Sequence, residues 1–238
     1  MRLLKLLPLL AVIALPVSAD AKSKPPKHKP KPVWVVIKNG GAFPNANPLA
    51  DLTTPCGNTD LVPSSDNVQL VQAAILCLVN QERAKQNIGA LTNNNVLGGV
   101  AQAYSAAVVS QNNFSHTGTD GSTPETRVLA AKYANPKGNY LIGENLGVAE
   151  GTLATPASIV DAWMNSPEHR ANILNATYRE SGIGITLAVP ASQSSGAETG
   201  ATFVQDFGVR GKDIKRRKKP SSSSSPISFG RGSTVSVG

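Results

Sequence analysis

The spacing of apolar residues changes once along this chain, and that change limits the fold more than any other feature of the sequence. Apolar side chains recur at helical intervals after Asp66, a candidate N-cap, and again after Asn95. Later the pattern becomes that of two strands, 182–189 and 201–207, joined by a polar stretch rich in Gly and Ser. Helices first and an antiparallel sheet later predict a layered α+β domain.

Further helix starts carry their own sequence signals. The run Ser122-Thr123-Pro124-Glu125 is typical of a capping box with proline at the first helical position, and it predicts a short helix to about residue 132. Proline also follows a hydroxyl residue at Thr155-Pro156 and at Ser166-Pro167. Each of these pairs predicts the start of another helix.

The two ends of the chain differ in composition from the middle. Residues 1–21 combine a basic start, an apolar run and small residues, which predicts a secretory signal peptide. The apolar run is shorter than the roughly 20 residues of a spanning helix, so no transmembrane segment is expected in the mature chain. We expect a Pro- and Lys-rich linker with an N-terminal segment at 22–65, the globular domain at 66–209, and a basic, Ser-rich disordered tail at 210–238.

Within the linker, the apolar run Val33–Ile37 is typical of a short strand or of a docking segment. The only two cysteines, Cys56 and Cys77, form an even pair in a chain expected to be exported. Such a pair indicates a disulfide. The alternative is two unpaired small hydrophobic residues, because Cys77 lies in an apolar helical run.

Charge is distributed unevenly between the domain and its flanks. The whole chain carries +8, while residues 66–209 hold 7 basic and 11 acidic residues, a net −4, which leaves +12 for the flanks. Basic flanks of this kind favour attraction to anionic polymers of the cell envelope, although solvated segments are an equally ordinary reading. Nucleic acid is not expected as a partner, because the folded part is acidic and the tail has few aromatic residues.

Two histidines and one carboxylate stand out within the domain. His116 and His169 lie in polar, turn-rich surroundings, and Glu144 lies in an apolar stretch of small residues. Two imidazoles and a carboxylate suit a zinc ion that keeps one position open for water. Glu144 could instead accept a hydrogen bond from one imidazole and so orient that ring without binding the metal. The third interpretation is that the three residues form a purely structural hydrogen-bonded cluster. If Ser166 caps its helix, His169 lies in the first turn, where the helix dipole favours a neutral ring.

Six motifs occur in an order that resembles the bacterial members of the CAP (SCP-like) superfamily. This superfamily groups the cysteine-rich secretory proteins, antigen 5 and the plant pathogenesis-related 1 proteins. The resemblance covers about residues 66–208. The motifs are Asn80-x-x-Arg83, Phe114-Ser115-His116, Gly143-Glu144-Asn145, Trp163-Met164-x-Ser166-Pro167-x-His169-Arg170, Gly182-x-Gly184 and Gln205-Asp206-Phe207-Gly208.

The resemblance implies a three-layer α-β-α sandwich with a central antiparallel sheet. It also implies a cleft lined by two histidines and two acids that can hold a divalent ion. By motif, His116, Glu144 and His169 fill three of these positions. The fourth is left open, because Ser166 stands where animal and plant members have an acid.

Other motif residues have plainer interpretations. Asn80 and Arg83 are expected to tie a helix to neighbouring loops, and Trp163 to lie in the core. Asn145 and Arg170 belong to the motifs without an individual role.

Functionally, the sequence favours a secreted, extracellular or envelope-associated binding module. It would hold a divalent metal, zinc by preference, or another extracellular ligand, without an established reaction. A metal-assisted extracellular hydrolase is the alternative, with Glu144 as ligand or base. No nucleophilic triad is expected, since Ser115 and Ser166 adjoin histidines only along the chain and lie in no nucleophile elbow.

Overall fold

The protein is described by a computed structural model that covers residues 35–38, as backbone only, and residues 43–211. The predicted signal peptide, most of the linker before residue 43 and the tail after residue 211 lie outside the described residues. Among the described residues, no helix is long and apolar enough to cross a membrane.

The described part of the chain contains five α-helices and five strands, besides two short 3-10 helices. The helices are α1 (Val68–Ala84), α2 (Asn95–Ser110), α3 (Pro124–Ala130), α4 (Pro156–Asn165) and α5 (Pro167–Ile173). The strands are β1 (Val35–Lys38), β2 (Thr92–Asn93), β3 (Tyr140–Glu150), β4 (Glu180–Thr186) and β5 (Gly200–Arg210).

The strands form one sheet in the order β1-β3-β5-β4-β2. All neighbours are antiparallel except the two-residue β2, which pairs in parallel with β4. One core cluster joins α1, α4 and α5 to the sheet, and two smaller clusters join α2 and α3 to it. The expected α+β sandwich with a central, mainly antiparallel sheet is therefore confirmed.

Strand β3 was missed by the sequence analysis, although it lies inside the sheet and carries Glu144. Its residues do not alternate between apolar and polar, because its first eight are buried whichever face they point to. Leu141 packs with α1, α4 and α5, whereas Ile142 packs with α2 and α3. A strand covered on both faces does not show the period of two.

Helix boundaries differ from the sequence predictions in small ways. Helix α1 is preceded by Asn67 rather than Asp66. The capping box of α3 is real, but its reciprocal partner is Thr126 and not Glu125, because Thr123 is the N-cap. The third residue after this cap is Thr126, one position beyond Glu125. Helix α3 also ends at Ala130 rather than near residue 132.

The sheet and α2 approach each other closely at two glycines of β4. A side chain at Gly182 or Gly184 would collide with the backbone of α2 between Leu97 and Gln102. This close approach explains the Gly-x-Gly spacing.

The predicted disulfide between Cys56 and Cys77 is confirmed, with a Cα–Cα distance of 5.8 Å. It joins the N-terminal segment to α1.

Candidate functional site

The three predicted cleft residues come from three different elements. His116 lies in the loop between α2 and α3, Glu144 on β3, and His169 in the first turn of α5. Among the described residues, strand β1 pairs with β3 from Tyr140 to Gly143, the residue directly before Glu144.

Glu144 is the centre of a buried hydrogen-bonded chain. Its side chain is 0% exposed. Its Oε1 lies 2.7 Å from Nδ1 of His116, and its Oε2 accepts from Nη2 of Arg127 at 2.7 Å. A carboxylate can only accept hydrogen bonds, so Nδ1 of His116 carries a proton, and in the neutral form of the ring Nε2 has the free lone pair.

Arg127 links this chain to the helices α2 and α3. Its guanidinium lies 3.2 Å from the ring centroid of Tyr104 and donates to the carbonyl of His116 at 3.2 Å. The Tyr104 hydroxyl in turn donates to the carbonyl of Ser115 at 2.6 Å. The loop that carries His116 is therefore held by the same cation that pairs with Glu144.

His169 has a different kind of partner. Its Nδ1 lies 2.9 Å from Oγ of Ser166, whose hydroxyl can donate to Glu168 at 3.3 Å. The expectation that Ser166 and its neighbouring histidine would not face each other was wrong. Residues three apart across a helical turn share one face of the helix.

Two buried asparagines fix α5 against β3. Asn145 donates to the carbonyl of His169 at 3.2 Å. Asn172 donates to the carbonyl of Glu144 at 3.1 Å and to Oδ1 of Asn145 at 2.9 Å. The backbone positions of Glu144 and His169 are thus tied together.

The electrostatic surroundings keep the His169 ring neutral. Burial lowers the pKa of His169 below its ordinary value, and the nearby His116 lowers it further, while Glu168 opposes both. The structure therefore brings the ring of His116 into contact with Glu144, whereas the ring of His169 contacts Ser166.

Sequence reasoning missed two ionisable members of this site. Arg127 lies in no recognised motif, and its role depends on the packing of α3 beside β3. Asp206 lies directly opposite Glu144 in the β3–β5 register and is also fully buried. The sequence did contain a signal for Asp206, since it is an acid within an apolar predicted strand and within the motif Gln205-Asp206-Phe207-Gly208.

These residues do not fit a three-ligand metal centre. Both oxygens of Glu144 are engaged, one by His116 and the other by Arg127. Within residues 43–211, no group of three His, Cys, Asp or Glu side chains is placed to hold a metal ion. Glu144 instead accepts a hydrogen bond from Nδ1 of His116, and the binding of zinc stays a prediction.

The remaining motif residues hold the scaffold. Asn80 donates to the carbonyl of Leu91 and accepts from its amide. Arg83 is 0% exposed and donates to four backbone carbonyls. Trp163 is buried and donates to the carbonyl of Leu146, whereas Arg170 is exposed in the last turn of α5.

Comparison with known proteins matches the sequence to one family. The sequence model of the CAP family, described as the cysteine-rich secretory protein family, matches residues 76–207. The protein YkwD of Bacillus subtilis, described as uncharacterized, is 29% identical over 178 residues. That alignment covers 74% of this chain and 62% of YkwD, so the chain matches less than two thirds of the relative's length.

Two solved structures are similar over part of the chain. One is an extracellular protein with an SCP domain from Bacillus anthracis, with 23% identity and a TM-score of 0.47, covering 63% of this chain and 44% of that one. The other is an outer surface protein of Borrelia burgdorferi, with 25% identity and a TM-score of 0.45, covering 63% of this chain and 96% of that one.

Proposed function

The chain belongs to the CAP family, and from this premise we propose that it is a secreted binding protein whose cleft takes up a ligand between His116 and His169. The observation that carries the proposal is the fixed orientation of both rings. Each ring uses Nδ1 for a partner within the protein, Glu144 for His116 and Ser166 for His169. Each therefore has Nε2 available for a ligand.

The hydrogen-bonding pattern indicates the class of ligand. In the neutral form of His116, Nε2 is an acceptor, because Nδ1 holds the proton next to a carboxylate. When Ser166 donates its own hydrogen to Glu168, it accepts one from Nδ1 of His169, and Nε2 of the neutral His169 ring is then an acceptor as well. Two acceptors require a ligand that supplies donors. Neutral hydroxyl-rich compounds such as saccharides meet this requirement, whereas an ionised carboxylate, which only accepts, does not.

Secretion is supported by two features of the chain. The disulfide Cys56–Cys77 is typical of proteins from oxidising compartments. The sequence of residues 1–21 has the pattern of a signal peptide. Detection of the mature protein in the culture medium, beginning near residue 20 or 22, tests this part of the proposal.

A binding role is favoured over the hydrolase alternative by the state of Glu144. The hydrolase hypothesis needs this carboxylate as a metal ligand or as a base that takes a proton from water. Both of its oxygens already bind protein groups, and the side chain is 0% exposed. Glu144 is better suited to orienting His116.

The chain has three histidines, so binding can be followed by the NMR signals of their ring C–H protons. We expect neutral trisaccharides, with maltotriose, cellotriose and chitotriose as probes, to shift the signals of His116 and His169 at pH 7.5. Sodium acetate, which has no donor at this pH, is expected to leave both unchanged. The opposite selectivity would contradict the proposal.

Two ring substitutions and a matched control complete the test. His116→Phe and His169→Phe keep an aromatic ring but remove the acceptor, so each is expected to abolish the shifts at the other histidine. His28→Gln changes the histidine outside the predicted domain and is expected to leave binding intact.

Attachment to the cell envelope is a separate proposal about the basic flanks. Deletion of residues 212–238 is expected to abolish retention on anionic envelopes at low salt, because most of the flanking charge near the C-terminus is removed. Unchanged retention would rule it out.

A further inference from the structure

We propose that Asp206 is a positioning residue of the cleft, a buried acid that keeps its proton and donates it to Glu144. The inference concerns the site on which the proposed function depends. It is measured without a ligand, so either proposal can fail while the other stands.

The geometry of the sheet places the two carboxyl groups together. Glu144 and Asp206 are opposite residues in the antiparallel β3–β5 pair, and opposite residues point to the same face of a sheet. Both are 0% exposed. This face is the one covered by α2 and α3, since the neighbouring Leu146 and Val204 pack there with α2.

Asp206 has no conventional partner. Neither of its carboxyl oxygens has a hydrogen-bond donor among the described residues. Glu144 differs in this respect, because His116 and Arg127 both donate to it. Two ionised carboxylates cannot bind each other, and an isolated buried charge is strongly unfavourable. The one arrangement that satisfies both groups has Asp206 protonated and Glu144 ionised.

The electrostatic surroundings agree with this arrangement. Burial and the adjacent Glu144 raise the pKa of Asp206 well above its ordinary value, and Arg127 offsets only part of this effect.

The consequence is a carboxylate held by three donors from three elements. His116 comes from the loop after α2, Arg127 from α3, and Asp206 from β5. Rotation of Glu144 would break at least one of these bonds, so Asp206 helps to keep Nδ1 of His116 protonated and Nε2 available. The Gln205-Asp206-Phe207-Gly208 motif thereby acquires a role in the cleft.

The first experiment measures the protonation of Asp206 in the full mature chain. Carbon-13 NMR of protein labelled at the aspartate side-chain carboxyl is expected to show one resonance, assigned with Asp206→Asn, at the position of a protonated acid throughout pH 5 to 8. A resonance of Asp206 at the chemical shift of an ionised carboxylate at pH 7 would overturn the proposal, regardless of the results with the variants.

The second experiment tests positioning through the tautomer of His116, read from its ring nitrogen-15 shifts. Asp206→Asn keeps a donor of similar size and is expected to retain the tautomer protonated at Nδ1. Asp206→Ala removes the donor and is expected to give a mixture of tautomers. A folded Asp206→Ala protein with the wild-type tautomer would overturn the proposal, and so would loss of the tautomer in Asp206→Asn. If Asp206→Ala does not fold, the carboxyl measurement on the unaltered chain decides.

Discussion

The two histidines of the proposed cleft lie in contrasting environments. Nδ1 of His116 contacts the fully buried carboxylate of Glu144. This carboxylate is also paired with Arg127, and Glu144 lies opposite Asp206 in the β3–β5 pair. Nδ1 of His169 contacts the hydroxyl of Ser166, and Glu168, the preceding residue, is partly exposed. The partner of the His116 ring is therefore an ionised carboxylate, whereas the partner of the His169 ring is a neutral hydroxyl.

This difference shows how one fold can orient two similar side chains by different physical means. A buried ion pair fixes direction strongly, but it is costly if one partner is removed. A hydroxyl fixes direction weakly and adds no charge, so burial dominates the behaviour of the ring. Substitutions that exchange or remove these supports should separate the two environments or make them alike.

The largest effect is expected from Glu144→Ala. It leaves Arg127, whose side chain is 12% exposed, without its partner and should lower the free energy of unfolding by about 3–5 kcal/mol. Glu168→Ala is the matched control beside His169 and should cost less than about 1 kcal/mol, because this carboxylate is partly exposed. Urea unfolding measures both, and equal losses would contradict the contrast.

The connection between the two environments is tested by Asn172→Ala. This substitution removes the amide that binds the carbonyl of Glu144 and the side chain of Asn145. We expect a loss of about 1–3 kcal/mol in urea unfolding, because buried polar groups lose their partner. Asn165→Ala, at the exposed end of α4, should change the stability by less than about 0.5 kcal/mol. A loss no larger than that of the control would mean that α5 is held by other contacts.

Ser166→Asp should make the two environments alike. A carboxylate at this position should raise the pKa of His169, because an opposite charge favours the imidazolium. Aspartate is also a good N-cap, so α5 should be preserved. NMR titration of the His169 ring measures the shift, with Ser166→Ala as the control that should keep the pKa low. An unchanged pKa in Ser166→Asp would show that the introduced acid does not reach the ring.

Acidification should weaken the protein partly through His169. The pKa of this ring is lowered in the folded state from its ordinary value of 6.5, so the unfolded chain binds a proton more readily. The stabilising contribution is complete above about pH 7 and declines as the pH falls through 6.5 toward the folded-state pKa. Thermal unfolding from pH 7.5 to pH 5 should therefore show a shallower decline in His169→Gln than in the unaltered protein. An identical decline would exclude this contribution.

The smallest effect is expected from removal of divalent metal. Because Glu144 is already engaged, EDTA should leave the thermal unfolding midpoint of the purified protein unchanged within about 1 °C, as expected where no tightly bound metal contributes to stability. Stoichiometric zinc bound tightly enough to survive gel filtration, and lost in both His116→Phe and His169→Phe, would contradict this and restore the zinc hypothesis.

Local sequence signals determined much of the fold of this protein. Proline after Thr123, Thr155 and Ser166 marked the starts of three helices, because its fixed backbone angle and missing amide suit the first helical position. Helical periodicity located α1 and α2, and the spacing of six motifs indicated the family. These signals act between near neighbours along the chain and can be read without coordinates.

Tertiary structure alone decided how the site is built. The burial of β3 on both faces removed the alternation that would have revealed it, and register then placed Asp206 opposite Glu144, 62 positions away in the sequence. Packing of α3 brought Arg127 to the same carboxylate. The role of Glu144 as an acceptor behind His116 depends on which groups occupy its two oxygens. Contacts between distant residues set that occupancy, because hydrogen bonds and burial depend on position in space rather than on order along the chain.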